Sequence, residues 1–363
     1  MKIGILGYGN VGKSLCELLN KNSELEIKYI LRRKGKATEE KMTDDIDTIL
    51  NDDEVQLIID VLPGIHPSYE YIKKALSHGK NVVSANKAAL AYDLSGLLLL
   101  ANKHKAALLF EGSCGGAIPI INEAKKISKT DKIERIYGIL NGTSNYILYK
   151  MYKENLSFED ALCKAQELGY AEADPTADIE GFDVRNKAII LSSTAWNTFS
   201  CKNIETIGIS NVSHDRLLEF AKENKNIKLM MLAEKSGNYY KAYVLPIVID
   251  NSHLEANVPD NYNIATLETK NAGRLTFFGQ GAGGNPTASA IIRDSYEIFE
   301  CISKSNTPES LNTVLCNELT EDNELIKGTV YLDDKCYEHA SPHDYLEEAI
   351  KSNCFFAFSP DEF

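Results

Sequence analysis

Between residues 172 and 183 the chain places five carboxylates, Glu172, Asp174, Asp178, Glu180 and Asp183, and four residues beyond the last of them it places Lys187. Pro175 and Gly181 interrupt the acids, and an apolar run over 188–191 follows the lysine. This reads as a loop feeding a helix. Gly181 lies just ahead of the helix start, Asp183 falls in the first turn, where a carboxylate suits the positive end of the dipole, and Lys187 shares its face. A lysine held by a carboxylate at the mouth of a buried helix has the makings of a proton-transfer group. The competing reading, solvated loop acids with one i,i+4 surface pair, fits less well. The stretch from Lys187 to Trp196 has too few polar positions for a solvent-facing helix.

Three further clusters carry chemistry. A short buried strand over 2–6 runs directly into Gly7-Tyr8-Gly9-Asn10-Val11-Gly12, ahead of an amphipathic run over 13–19. In that context Gly-x-Gly-x-x-Gly is a dinucleotide fingerprint, with its glycines serving the turn, the approach of a pyrophosphate and close helix packing. A second strand, 25–31, ends in Arg32-Arg33-Lys34 where an acid would normally hold the ribose hydroxyls. Guanidinium and ammonium groups there favour NADP over NAD; the alternative is an exposed basic turn. A strand over 81–85 delivers Ser84-Ala85-Asn86-Lys87 to its carboxyl end, the edge where open α/β sheets hold ligands, although a lysine there can also merely snorkel. Finally, Glu111-Gly112-Ser113-Cys114-Gly115-Gly116-Ala117-Ile118-Pro119 follows a strand over 106–110. Its glycines suit carbonyls turned toward a ligand or a hard cation, with Glu111 adding an oxygen, or simply a loop before a helix.

The elements that must position these groups fall into two domains, as 363 residues with 44% apolar content predict. The βα period of the first 130 residues, including a strand over 55–62 ending at Pro63-Gly64 and a helix over 68–78, gives an α/β Rossmann dinucleotide-binding domain. From about residue 131 the period fades into an α+β domain with a mixed sheet, extending to 285. Helices are expected over 145–153 and 158–168, and strands over 228–233, 239–249 and 262–278. A second glycine loop, 279–284 with Gly283, opens a helix expected to return and complete the first domain over about 286–304. Residues 305–363 read as an appendage.

Composition narrows the partners. There are 39 Lys and Arg against 52 Asp and Glu, a formal net charge of −13 that argues against nucleic acid and against docking on an anionic membrane. No apolar run approaches the roughly 18 residues of a membrane span. The eight cysteines show no Cys-x-x-Cys spacing and read as reduced, and the N-terminus lacks a signal-peptide pattern, so the expected location is cytoplasmic.

Taken together, 7–12, 84–87, 111–119, 138–148, 169–187 and 279–294 resemble homoserine dehydrogenase, in the family's order and over about residues 1–300. Segments 138–148 and 169–187 are far more specific than any dinucleotide fingerprint. The resemblance implies reduction of aspartate 4-semialdehyde to homoserine in the route to threonine, methionine and isoleucine. In that role Lys187 would donate the proton, Asp183 would orient it, and Lys87 would be a second amine contacting cofactor. Glu172 and Asp178 would bind the homoserine amino and hydroxyl groups. The cofactor would lie on Gly7, Gly9, Asn10, Val11, Gly12, Arg32, Arg33, Gly64, Ser84 and Gly283. The backbone carbonyls of Glu111, Cys114, Gly116 and Ile118 would hold a structural sodium ion. A homodimer is implied through 138–148 and 285–300.

Two departures stand out. Strand 55–62 ends in Asp-Val-Leu-Pro-Gly where many relatives carry Glu-Leu-Ile-Gly-Gly, and the region after 305 lacks the βαββαβ pattern of a regulatory ACT domain, so threonine feedback is not expected. Two rivals remain on the same scaffold. Another small-semialdehyde enzyme would have little use for Glu172 and Asp178 unless its substrate carried an ammonium, and a non-catalytic NADP sensor would have no need of Lys87 and Lys187.

Overall fold

The computed structural model describes residues 1–20 and 22–361, which form two compact units, one from Met1–Glu123 with Ala282–Leu315 and the other from Ala124–Gly281 with Cys316–Phe363. The first unit is built on strands β1 (Lys2–Leu6), β2 (Glu26–Leu31), β3 (Met42–Thr43), β4 (Val55–Asp60), β5 (Asn81–Ser84) and β6 (Leu108–Leu109). They pair in parallel in the order 3-2-1-4-5-6, the doubly wound arrangement whose ligand crevice opens at the switch point between β1 and β4.

Apolar, largely β-branched runs such as Val-Gln-Leu-Ile-Ile over 55–59 form these strands because a parallel sheet is covered on both faces. Ile3, Ile5, Leu57, Ile59 and Val83 pack with Leu15 of the helix Asn10–Leu19 and with Ala288, Ile291 and Ile298 of the helix Gly284–Ser303. Each fully buried Ile or Leu here stabilises by roughly 1.5–3 kcal/mol. The helix after the second glycine loop therefore packs within the nucleotide-binding unit: a Cβ on Gly284 would meet Ser14 Oγ at 2.4 Å.

The second unit carries a ten-stranded mixed sheet: β7 (Ile133–Ile139), β8 (Glu205–Thr206), β9 (Lys225–Ser236), β10 (Tyr239–Asp250), β11 (Tyr262–Thr269), β12 (Gly273–Gln280), β13 (Thr320–Glu321), β14 (Gly328–Leu332), β15 (Lys335–Ala340) and β16 (Phe356–Pro360). The main order is 12-11-7-9-10-16-14-15, with β8 and β13 also pairing β10. Most pairs are antiparallel; β16 runs parallel to β10, with Ile247 opposite Phe358.

Two sequence readings change here. The single strand expected over 262–278 is a hairpin, turned at 270–272, where the Asp131 carboxylate accepts from the backbone N–H groups of Asn271 and Ala272. Residues 305–363 are not an appendage either. Residues up to Leu315 belong to the first unit, and the remainder supplies four strands of the second unit's sheet. Phe356 and Phe358 join the core of Tyr243, Leu245 and Ile247, while β15 presents polar side chains outward, so the average composition of the segment concealed an alternating pattern.

Candidate active site

In the second unit the acidic loop runs as expected into a helix, Phe182–Trp196, whose entry requires Gly181 at φ +77°. Asp183 and Lys187 are both buried, and Lys187 Nζ donates to Asp183 Oδ2 at 2.6 Å and to the carbonyl of Leu140, just past β7, also at 2.6 Å. An ammonium has three donors. Two are held in fixed directions, to Asp183 and to the Leu140 carbonyl.

The residue that organises this group escaped sequence reasoning. Asn141 Nδ2 donates to Asp183 Oδ2 at 2.9 Å and to Asp178 Oδ1 at 2.6 Å, while its Oδ1 accepts from Ser144 N at 2.7 Å as the N-cap of the helix Gly142–Glu154. The amide orientation is thereby fixed, since a flip would set its oxygen against two carboxylates. An Asn after a strand and three residues ahead of a helical turn was the available signal; its two carboxylate partners, 37 and 42 residues away, left none.

Asp178 is thus brought to Lys187's group through Asn141. Glu172 is not: it is exposed, and its backbone carbonyl accepts from Gln166 Nε2 at 3.2 Å. Asp174 Oδ1 accepts from the backbone and hydroxyl of Thr176, which hold its carboxyl below the usual range and use it as a loop cap.

In the first unit the glycine loop lies at the β1/β4 switch point. Gly7 has φ +109°, a Cβ on Gly12 would stand 2.4 Å from the Gly7 carbonyl, and nothing lies within 4 Å of where a Cβ on Gly9 would project. Turn, close packing and open approach are the three properties a pyrophosphate cradle needs. Asn10 and Val11 open the helix behind it. At the end of β2 the Arg32 guanidinium stacks on the Tyr8 ring, with its carbon 4.8 Å from the centroid, while Arg33 is exposed. A planar cation is therefore fixed beside the glycine loop.

Ser84 is fully buried and donates to Asp60 Oδ2 at 2.9 Å, as Ser68 does at 2.7 Å. Asp60, at the end of β4, was another omission of the sequence reading; burial pushes its carboxyl up to about 6. Asn86 caps the helix Lys87–Tyr92 through Ala88 N and Ala89 N and donates Nδ2 to the Gly64 carbonyl at 2.7 Å, which ties the Pro-Gly turn to the helix that begins with Lys87. Gly283, at φ +121°, precedes the helix Gly284–Ser303.

In the loop 111–119 the Glu111 carboxylate is turned to the helix that follows. It accepts from Ile121 N at 3.0 Å and Asn122 N at 2.8 Å at the start of the helix Ile120–Ile127. The Glu111 N–H donates to buried Asp294, and burial raises Glu111 to about 7 and Asp294 to about 8. Among the described residues no three His, Cys, Asp or Glu side chains are grouped to hold a metal ion. Gly115 and Gly116, at φ +75° and +59°, turn the intervening carbonyls.

Comparison with known proteins agrees with both halves. Residues 7–111 match the family model described as homoserine dehydrogenase, NAD binding domain, and 119–295 match that of homoserine dehydrogenase. The homoserine dehydrogenase of Synechocystis sp. is 33% identical over 338 residues, 87% of this chain and 77% of that protein. The crystal structure of a homoserine dehydrogenase from Thiobacillus denitrificans superposes with a TM-score of 0.85 at 29% identity, covering 92% of this chain and 82% of the other. A hyperthermophilic archaeal homoserine dehydrogenase in complex with NADPH superposes with a TM-score of 0.73 at 25% identity, covering 86% and 99%.

Proposed function

The chain belongs to the homoserine dehydrogenase family of NAD(P)-dependent oxidoreductases, and we propose that it interconverts L-aspartate 4-semialdehyde and L-homoserine with NADPH preferred over NADH. In the reducing direction the aldehyde carbon gains a hydride and its oxygen gains a proton, giving the primary alcohol. The hydride is the contribution of the reduced nicotinamide when bound. The proton comes from Lys187, whose third N–H points to the developing alkoxide while Asp183 and the Leu140 carbonyl hold the other two; solvent returns the proton afterwards. Asp178, steered by Asn141, and Glu172, from its exposed loop, bind the amino and hydroxyl groups of the amino acid. Lys87 supplies a second positive charge at the reacting end and contacts the cofactor.

The observation that carries this reading is the buried Lys187–Asp183 pair shared with Asn141. Lys187→Ala is expected to lower kcat by about two orders of magnitude or more with NADPH binding preserved. A change confined to the homoserine KM would reassign Lys187 to binding.

Arg32 on Tyr8 supports recognition of a 2′-phosphate, and the NADPH-bound archaeal relative supports a nicotinamide dinucleotide at the glycine loop. The carbonyls of Glu111, Cys114, Gly116 and Ile118 fit sodium. Glu111 O receives only a 3.3 Å bond from Cys114 N, and Ile118 O, which accepts from Ile120 N, keeps a second lone pair. Replacing sodium with tetramethylammonium should then lower the melting temperature, and an unchanged melt would remove the ion from the account.

For the homodimer, residues 138–148 are buried within the single chain and offer no free face. Edge strand β12, with Phe278 55% exposed, is the better support for a second copy, and sedimentation of Phe278→Glu as a monomer would test it. No helix among the described residues is long and apolar enough to cross a membrane. Eight free thiols support a reducing, cytoplasmic location, and membership of the family supports the biosynthetic route to threonine, methionine and isoleucine.

A further inference from the structure

Lys228 is a lysine with no exposed surface in the middle of the second unit's sheet, on β9, and none of the chemistry above uses it. Its Nζ donates to Asn145 Oδ1 at 2.9 Å and to the Val258 carbonyl at 3.1 Å. Both acceptors are neutral. Removing a lysine side chain from water costs several kcal/mol unless strong partners compensate, and an aliphatic residue of the same length would fill the space at no such cost. A lysine kept there needs a reason other than packing.

Its partners lead to the catalytic group. Asn145 lies one helical turn beyond Asn141 on the helix Gly142–Glu154. While its Oδ1 receives Lys228, its Nδ2 faces the segment ahead of β11, donating to the Asp260 carbonyl at 2.8 Å with the Val258 and Tyr262 carbonyls each at 3.3 Å. That segment in turn closes on the start of the same helix. A Cβ on Gly142 would stand 2.6 Å from the Asn261 carbonyl, so backbone meets backbone immediately after Asn141. Asn141 holds Asp178 and Asp183, and Asp183 holds Lys187.

We propose that Lys228 is a positioning residue for the reaction: acting through Asn145 and residues 258–262, it fixes where the helix Gly142–Glu154 begins and thereby where the Asn141 amide sets Asp178, Asp183 and the Lys187 ammonium. The inference deepens the functional reading above and rests on it. A donor of several hydrogen bonds is required at this point because the Asn145 oxygen and the Val258 carbonyl both need one and are sealed from water. Methionine at 228 would fill the volume, leave the Asn145 oxygen unanswered and leave the Val258 carbonyl only the longer bond from Asn145 Nδ2 at 3.3 Å.

The test compares wild type, Lys228→Met, Asn145→Ala and the double variant. Each is measured for kcat and KM with homoserine, for the pH profile of kcat, and for NADPH binding, whose affinity is a property of the first unit and whose stoichiometry counts the folded fraction. The expected result is NADPH affinity within twofold of wild type, kcat per NADPH-binding site reduced at least about tenfold in each single variant, and a displaced pH profile. The double variant should be no worse than the poorer single one, since both remove the same link. Wild-type kcat per NADPH-binding site and an unmoved pH profile in Lys228→Met would overturn the proposal, even with a lowered melting temperature. Additive losses in the double variant would also overturn it. If Lys228→Met does not fold, the same two outcomes for Asn145→Ala decide. A wild-type enzyme inactive on homoserine would instead refute the functional reading.

Discussion

The Asn141 amide nitrogen stands 2.9 Å from Asp183 Oδ2, the same oxygen that accepts from Lys187 at 2.6 Å. One carboxylate oxygen thus takes two donors, one neutral and fixed by a helix cap, the other a lysine able to give up its proton. Asn141→Asp would replace the donor with a third carboxylate beside Asp178 and Asp183 while keeping an N-cap oxygen for Ser144 N. Helix stability should change by less than about 1 kcal/mol, yet kcat/KM for homoserine should fall roughly a hundredfold as like charges separate the acids. Steady-state kinetics alongside a thermal melt separates the two effects, and unchanged kinetics would release Asn141 from the site.

Cofactor choice rests on the end of β2. Changing Arg32 and Arg33 together to Ala should raise the NADPH KM at least about tenfold and leave that for NADH nearly unchanged, because only the former carries a 2′-phosphate. Equal losses on both cofactors would show that the pair merely supports the Tyr8 loop.

How legible these features were depended on the distance between partners in sequence. The glycine loop and the Asp183–Lys187 pair are local patterns, one set by the needs of a pyrophosphate and the other by a single helical turn, and both were readable. Asn141, Asn145 and Lys228 act through partners 30 to 117 residues away, and only the folded sheet brings them together. Residues 316–361 were misread because outward-facing strand positions such as Lys335, Glu338 and His339 dominated the composition, while Phe356 and Phe358 pointed inward. The turn at 270–272 had a local signal, the polar run from Lys270 through Asn271 to Gly273, which the reading of one long strand passed over.

Asp60 gives a pH prediction whose sign is set by its raised carboxyl. The folded protein holds this proton up to about pH 6, whereas the unfolded chain loses it near pH 4, so its contribution to stability is complete below pH 4 and is lost as pH rises through 6. The loss amounts to roughly 3 kcal/mol at most. Asp60→Asn, which keeps an oxygen for Ser68 and Ser84, should flatten the melting temperature between pH 4 and 7 relative to wild type. Parallel curves for the two proteins would mean that Asp60 is ionised throughout.

The central claim, that this chain oxidises and forms homoserine with a dinucleotide on the glycine loop and a proton on Lys187, is tested most directly by absorbance at the nicotinamide band. Purified protein is mixed with L-homoserine and NADP at mildly alkaline pH, then with NAD and with related hydroxy amino acids. The account predicts homoserine-dependent reduction, faster with NADP and abolished in Lys187→Ala. No reduction with homoserine, in protein shown by fluorescence to bind NADPH, would contradict it.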